Sequence, residues 1–202
     1  MCQACNQKQF KFRCQNCFHR PVTCAGCCAK SHADLPFHSV DVWNGTCFLP
    51  SDLMHAGIAI YLGHQGFQCP EYERADVGKS QERFKDVESE EDFDELGARL
   101  LQIIHSNGVC ERNIWYCKCS NAPPHHLQLL QHRLFPASCK KPQTAFTFEV
   151  LCHFHIDAME CKTSANNFYS KLRRLTSNGF PDTVPVGFLF PSFSCHTDIT
   201  SE

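Results

Sequence analysis

The sequence predicts a small α+β protein, in which a zinc-stabilised amino-terminal module precedes a β-hairpin packed with helices. Three observations carry this expectation. Cys and His recur at short intervals over residues 1–42 with few large aliphatic residues between them, so that stretch has too little apolar surface to fold unaided. Asn107-Gly108 sits between the apolar runs 100–105 and 109–117, the strongest short-range hairpin signal, because both residues tolerate positive φ. Beyond the second run, apolar residues recur at helical spacing as far as Leu175.

At 202 residues the chain has room for one modest domain or two small ones. It holds 16 Cys and 12 His. No apolar segment follows Met1, so no secretory signal is expected. The longest apolar stretch, residues 57–62, is too short to cross a bilayer. The chain is therefore expected to be intracellular, where thiols stay reduced and Cys pairs act as metal ligands rather than disulfides. A formal net charge of −2 excludes a uniformly basic nucleic-acid binder. The charge is uneven, however: net +4 over residues 1–40, −7 over 71–96 and +6 over 97–178.

The amino-terminal spacing is Cys2-x2-Cys5-x8-Cys14-x2-Cys17-x6-Cys24-x2-Cys27-x4-His32-x5-His38. These four pairs supply enough ligands for two tetrahedral zinc ions, and a Cys-x2-Cys turn brings both sulfurs to one face. Borderline-soft thiolate and imidazole suit zinc, and closed four-ligand sites point to structure rather than catalysis. Sequential pairing would give an all-thiolate site from the first two pairs. Interleaved pairing gives Cys2, Cys5, Cys24 and Cys27 on one ion, with Cys14, Cys17, His32 and His38 on the other. The interleaved order resembles the cross-brace of B-box zinc domains in ligand order and loop length. It also ties the whole coreless segment into one unit, and it is the pairing expected here. Cys28 is an alternative to Cys27.

Residues 43–69 read as a connecting helix and loop, with Ser51 as N-cap, helix over 51–62 and Gly63 just past its end. Residues 70–97 read as an acidic linker around Ser89-Glu90-Glu91-Asp92. Residues 98–178 hold the hairpin and then three helical faces: Leu127, Leu130 and Leu134, stopped by Pro136; Phe146, Val150, Phe154 and Ala158; and Phe168, Leu172 and Leu175. Residues 179–202 carry no period and read as an irregular tail. A second constellation is spread across these segments. His64 and Cys69 form a loop-spaced pair, and Cys117 and Cys119 end the second hairpin strand. Together they make a candidate third zinc site, with Cys110, His125 and His126 as competing ligands.

Four stretches resemble the CxC-like cysteine cluster domain associated with KDZ transposases, a fungal transposon family. The first runs from Pro36-Phe37-His38 into Trp43-Asn44-Gly45. The second joins Leu62-Gly63-His64 to Cys69-Pro70. The third runs from Asn107-Gly108-Val109 to Tyr116-Cys117-Lys118-Cys119. The last begins at Gln128-Leu129-Leu130 and continues through Phe135-Pro136-Ala137, Pro142-Gln143-Thr144-Ala145-Phe146-Thr147-Phe148 and Lys162-Thr163-Ser164 to Phe168-Tyr169. The resemblance spans roughly residues 1–178. It implies a zinc-chelating module upstream of a transposase catalytic region, engaging DNA or other transposase parts, in the nucleus where expressed. It also implies a ligand role for Cys117 and Cys119.

No catalytic constellation is expected in the chain itself. Strand transfer needs a carboxylate triad on a sheet holding two Mg²⁺ ions. Asp157 falls in a predicted helix, and the carboxylates of 71–96 sit in a polar run. Cys152 and His153 fall in a helix beside Phe154 and read as packed side chains. No phosphate-cradling Gly loop and no small-molecule site is evident. Lys140-Lys141 and Lys171-x-Arg173-Arg174, with Arg133 and Lys162, are the cations available to phosphates. The rival expectation is a B-box-like protein-interaction adaptor.

Overall fold

The computed structural model describes residues 1–75 and 98–184. The elements are β1 (Phe12–Cys14), β2 (Val22–Thr23), α1 (Ala25–Ser31), β3 (Val40–Trp43), β4 (Phe48–Ser51), β5 (Ala59–Leu62), α2 (Pro70–Ala75), β6 (Ala98–His105), β7 (Gly108–Tyr116), α3 (His125–Gln131), β8 (Leu134–Pro136), β9 (Thr144–Thr147), α4 (Phe148–Cys161) and α5 (Ala165–Thr176). Short 3-10 turns lie at Leu53–Ala56, His64–Gly66 and Pro181–Thr183. The class is α+β, as expected.

The first sheet is antiparallel, in the order β2-β1-β3-β4. Its inner face buries Phe12, Cys14 and Val40 against Cys28 of α1 and against Leu53, Ala56 and Ile58. Two of those core positions are thiols, and three come from beyond residue 42, so the unit borrows apolar surface from the following segment. On its outer face Arg13 pairs with Asp41 at 2.9 Å. Arg13 also lies 4.1 Å from the Phe48 ring centroid.

The second sheet is mixed, in the order β5-β7-β6-β9-β8. β6 and β7 form the expected hairpin, and β5 joins β7, and β9 joins β6, in parallel. Alternation along the strands makes two cores. Leu101, Ile103, Ile114 and Tyr116 face Leu62, Leu129 and Leu134, with Phe37 of the amino-terminal unit packed beside them. Ile104 and Phe146 face Val150 of α4 and Phe168 and Leu172 of α5. Thr147 caps α4 by accepting from the Val150 N–H, and Ser164 caps α5 by accepting from the Asn167 N–H. The positive φ of the hairpin turn falls on Gly108, at 136°. A Cβ there would lie 2.5 Å from Thr176 Oγ1, so only glycine lets the end of α5 close on the turn.

Several expectations need correction. Residues 51–62 are not a helix. Asp52, not Ser51, caps a single 3-10 turn, accepting from the Met54 N–H, and Gly57 (φ 91°) ends it. Residues 59–62 pair with β7 instead, where an open strand edge outweighs weak helical propensity. The segment read as a linker begins with helix α2, whose Tyr72 is buried and donates to the Tyr116 carbonyl at 2.8 Å. The rest of that segment, 76–97, lies outside the described residues.

The helix containing Leu127 and Leu130 ends at Gln131, so Leu134 belongs to β8. It faces inward through Gln128 and Leu129, while Leu127 is 41% exposed. Phe146 lies in β9, and Cys152 and His153 are exposed rather than packed. In the tail, residues 181–183 form a turn pinned by Arg173, which donates to the Pro181 carbonyl and pairs with Asp182. The remainder, 185–202, lies outside the described residues. No helix among the described residues is long and apolar enough to cross a membrane.

Candidate metal centres

Three groups of four donors converge, with all donor atoms of each group within 4.8 Å of one another. The first contains Cys2, Cys5, Cys24 and Cys27, and the second Cys14, Cys17, His32 and His38. The third contains His64, Cys69, Cys117 and Cys119. The amino-terminal ligands are therefore brought together in the interleaved order. Cys28 instead lies in the core of the first sheet. Cys110 donates toward the Ile103 carbonyl, and His125 stacks on Tyr116 at 4.1 Å, so neither completes the third group.

Local structure explains the interleaving. Cys24 caps α1 and Cys27 follows in its first turn, while His32 caps the other end. One seven-residue helix thus serves both groups, spanning roughly 10 Å at about 1.5 Å per residue. Cys14 ends β1, and its sulfur accepts the Cys17 N–H at 3.3 Å, closing the Cys-x2-Cys turn. His32 presents Nε2 to Cys17 at 3.5 Å, and its Nδ1 lies 2.9 Å from the Cys28 carbonyl. That outer contact orients the ring as metal-bound imidazoles require.

In the third group the parallel register does the work. Leu62 pairs with Tyr116, so the residues just past β5 and β7 emerge at the same sheet end, delivering His64 and Cys117 together. Gly63 (φ 107°) makes this approach possible, since a Cβ there would lie 3.0 Å from Cys117 Cβ. Gln128 locks the arrangement. Its Oε1 accepts the Cys117 N–H at 2.8 Å and its Nε2 donates to the Cys117 carbonyl at 3.1 Å. Both residues are named from the sequence but neither with this supporting role, Gly63 being placed at a helix end and Gln128 only within a family-like stretch. The helical period placed Leu127 inward instead of Gln128, and the only signal at Gly63 is its place beside His64.

The separations fit a tetrahedral ion. With Zn–S of about 2.3 Å and Zn–N of about 2.0–2.1 Å, tetrahedral edges are about 3.8 Å between sulfurs and about 3.6 Å between sulfur and nitrogen. In the third group Cys69–Cys119 is 3.7 Å and Cys117–Cys69 is 3.9 Å, with His64 Nε2 3.3 and 3.5 Å from Cys117 and Cys119. In the second, His38 Nδ1 lies 3.4 Å from Cys14 and 3.6 Å from Cys17. Disulfides would need sulfurs about 2 Å apart.

The protonation pattern also suits a cation. Burial pushes the Cys2 thiol up, but the backbone N–H groups of Cys24, Cys5 and Ala4 outweigh it and bring it to about 6. In the same group, hydrogen bonding to Cys24 and then burial push Cys27 to about 12. The third group repeats the contrast. Burial raises Cys69, yet the Lys118 and Glu71 N–H groups, His64 and Cys119 bring it down to about 7, while hydrogen bonds to Cys117 and Cys69 push Cys119 to about 11. Burial and the neighbouring Cys14 push Cys17 to about 11. One thiol in each group resists ionisation beside its neighbours, and a divalent cation removes that resistance.

The Cys-x-Cys pair lies in a region that is similar to a known family. Residues 87–179 match the family model described as CxC2 like cysteine cluster associated with KDZ transposases. No curated protein and no solved structure matches the chain. The matched CxC2 region supplies Cys117 and Cys119. The partner ligands His64 and Cys69, and the eight amino-terminal ligands, lie ahead of it, so the third group stitches the CxC2 region to the preceding segment through β5 and β7.

Proposed function

We propose that the chain is a zinc-scaffolded, non-catalytic module of a KDZ transposase that engages DNA. The observation that carries this is the match between the donor separations of the third group, two of whose members are Cys117 and Cys119 of the CxC2 region, and the edges of a tetrahedral zinc site. Zinc binds as the borderline-soft ion that such thiolate–imidazole sets prefer, and when bound it supplies only structural cross-links. Every position is taken by a protein ligand, and no carboxylate belongs to any of the three groups, which supports a role in holding rather than cutting. The cutting residues belong to a separate catalytic region, and the module acts in the nucleus with it.

Gly63→Ala tests the third ion. The added Cβ meets Cys117 in a backbone conformation that L residues avoid. Elemental analysis of the purified variant is expected to find one zinc per chain fewer than in the parent. An unchanged metal content would refute a third site.

For DNA, the excess of cations after residue 97 supports phosphate contact. Lys171 is occupied by Asp157 at 2.7 Å and Arg173 by Asp182 at 2.9 Å, which leaves Lys140, Lys141 and Arg174 as the stronger candidates. Three such contacts imply a log–log salt slope of about −2.7 on random duplex DNA, or roughly fortyfold weaker binding between about 50 and about 200 mM salt. Lys140→Ala and Lys141→Ala should each flatten that slope by about 1. Absent or salt-insensitive binding would remove DNA engagement.

One feature favours assembly as a second reading. Ile156 and Met159 of α4 are 52% and 59% exposed, on the helix face shared with exposed Phe148 and Cys152. Concentration-dependent self-association without DNA affinity would support it.

A further inference from the structure

We infer that Arg112 is a positioning residue for the Cys14/Cys17/His32/His38 centre, through which the CxC2 region controls metal binding in the amino-terminal unit. Arg112 lies on β7, between Cys110 and Ile114 on the face that meets the amino-terminal unit. Its side chain is 1% exposed. Nη1 binds both carboxylate oxygens of Asp52 at 2.6 Å, Nε donates to the Pro36 carbonyl at 2.5 Å, and Nη2 reaches the His38 carbonyl at 3.5 Å. The guanidinium thus grips the backbone on either side of Phe37.

Next along that short stretch, His38 presents Nδ1 to Cys14 and Cys17. The hairpin turn adds a second grip, as Asn107 Nδ2 donates to the Phe37 carbonyl at 2.7 Å and the Phe37 ring lies 5.0 Å from that of His105. Cys14 ends β1, Cys17 closes the turn after it and His32 ends α1, so these three ligands are carried by elements outside the CxC2 region. A fork of fixed donors is what this requires, because one planar group must satisfy a carboxylate and the carbonyls of Pro36, His38 and Glu111 while buried.

Two consequences follow. A clamp that holds an imidazole in its binding orientation raises metal affinity, since the entropy of ordering that ligand is met before the ion arrives. Linkage makes the effect reciprocal: the ion, by fixing His38, holds the Pro36 and His38 carbonyls in place for Arg112, so metal at this centre strengthens the docking of the two halves. Among the described residues, the hydrogen bonds of Arg112 reach no ligand of the first or third centre, so neither is expected to share this dependence.

This inference rests on the metal-binding reading above, and the test separates the two. The full chain is loaded with Co²⁺, whose ligand-field bands differ between all-thiolate, Cys3His and Cys2His2 sites, and titrated with a competing chelator. The wild-type chain is expected to show all three components, and failure to bind cobalt at all would overturn the underlying reading. Arg112→Met is expected to weaken the Cys2His2 component about tenfold to a hundredfold while leaving the other two unchanged. Arg112→Lys, which keeps the charge but not the fork, is expected to restore part of the loss. Asn107→Ala leaves the buried ion pair intact, so it carries the test even if Arg112→Met does not fold; it is expected to weaken the same component by a smaller factor. Equal weakening of all three components, or none in the Cys2His2 component of either variant, would overturn the assignment.

Discussion

A strong chelator added to the full chain is expected to abolish amide protection across β1–β4 while leaving it over β6, β7, β9, α4 and α5. Each structural zinc site contributes roughly 10–16 kcal/mol of apparent binding free energy, as much as the whole stability of a typical domain. The amino-terminal sheet has little to set against that loss. Its core counts Cys14 and Cys28 among its members, and Cys14 also belongs to the second metal group. Four thiols or two thiols and two imidazoles at tetrahedral spacing repel or desolvate one another once the cation is gone. The sheet–helix core is different, since Leu101, Ile103, Ile104, Ile114, Phe146, Phe168 and Leu172 are all within 1% of complete burial. β5 and α2 should loosen as well, because His64 and Cys69 tie them to the end of β7. Hydrogen exchange read by mass spectrometry, before and after chelation, checks this. Protection lost throughout residues 144–172 would show that the two halves stand or fall together.

Phe146→Ala is expected to destabilise the CxC2 region by about 3–5 kcal/mol. Phe146 is fully buried at the end of β9, where it meets Ile104, Val150, Phe168 and Leu172. The backbone there is held by β6 on one side and β8 on the other. The cavity therefore cannot close by collapse, and the lost contacts are not regained. Denaturant titration of the metal-loaded chain should show a lower midpoint with an unchanged slope, and the all-thiolate centre should keep its ion. A loss below about 1 kcal/mol would mean that the cavity is filled by repacking.

The difference between these two halves was partly legible before any fold was known. A Cys-x2-Cys turn is a local object, and so is the helix that carries Cys24, Cys27 and His32, so short-range spacing reveals donors that belong together. The hairpin was legible for the same reason, since a two-residue connection joins strands that are neighbours in sequence. The helix read over 51–62 shows the limit. Its apolar residues satisfy a helical period, yet β7 offers an unpaired edge, and the segment takes the strand pairing that the edge makes available. Phe146 shows it again, entering the α4 core from a strand rather than from the helix to which its spacing assigned it.

By itself the amino-acid order picked out candidate metal donors, left Cys28 open against Cys27 and Cys110, His125 and His126 open in the third group, and marked a hairpin followed by helices after residue 97, because each of these readings depends on near neighbours. Only the tertiary structure decided how distant pieces meet. The parallel register of β5 on β7 puts His64 beside Cys117, Gln128 reaches back to hold that cysteine, and Arg112 crosses from the sheet to the loop of His38. Such meetings depend on which strand edges and buried faces remain open once the rest has packed, a property of the whole chain that no local spacing records.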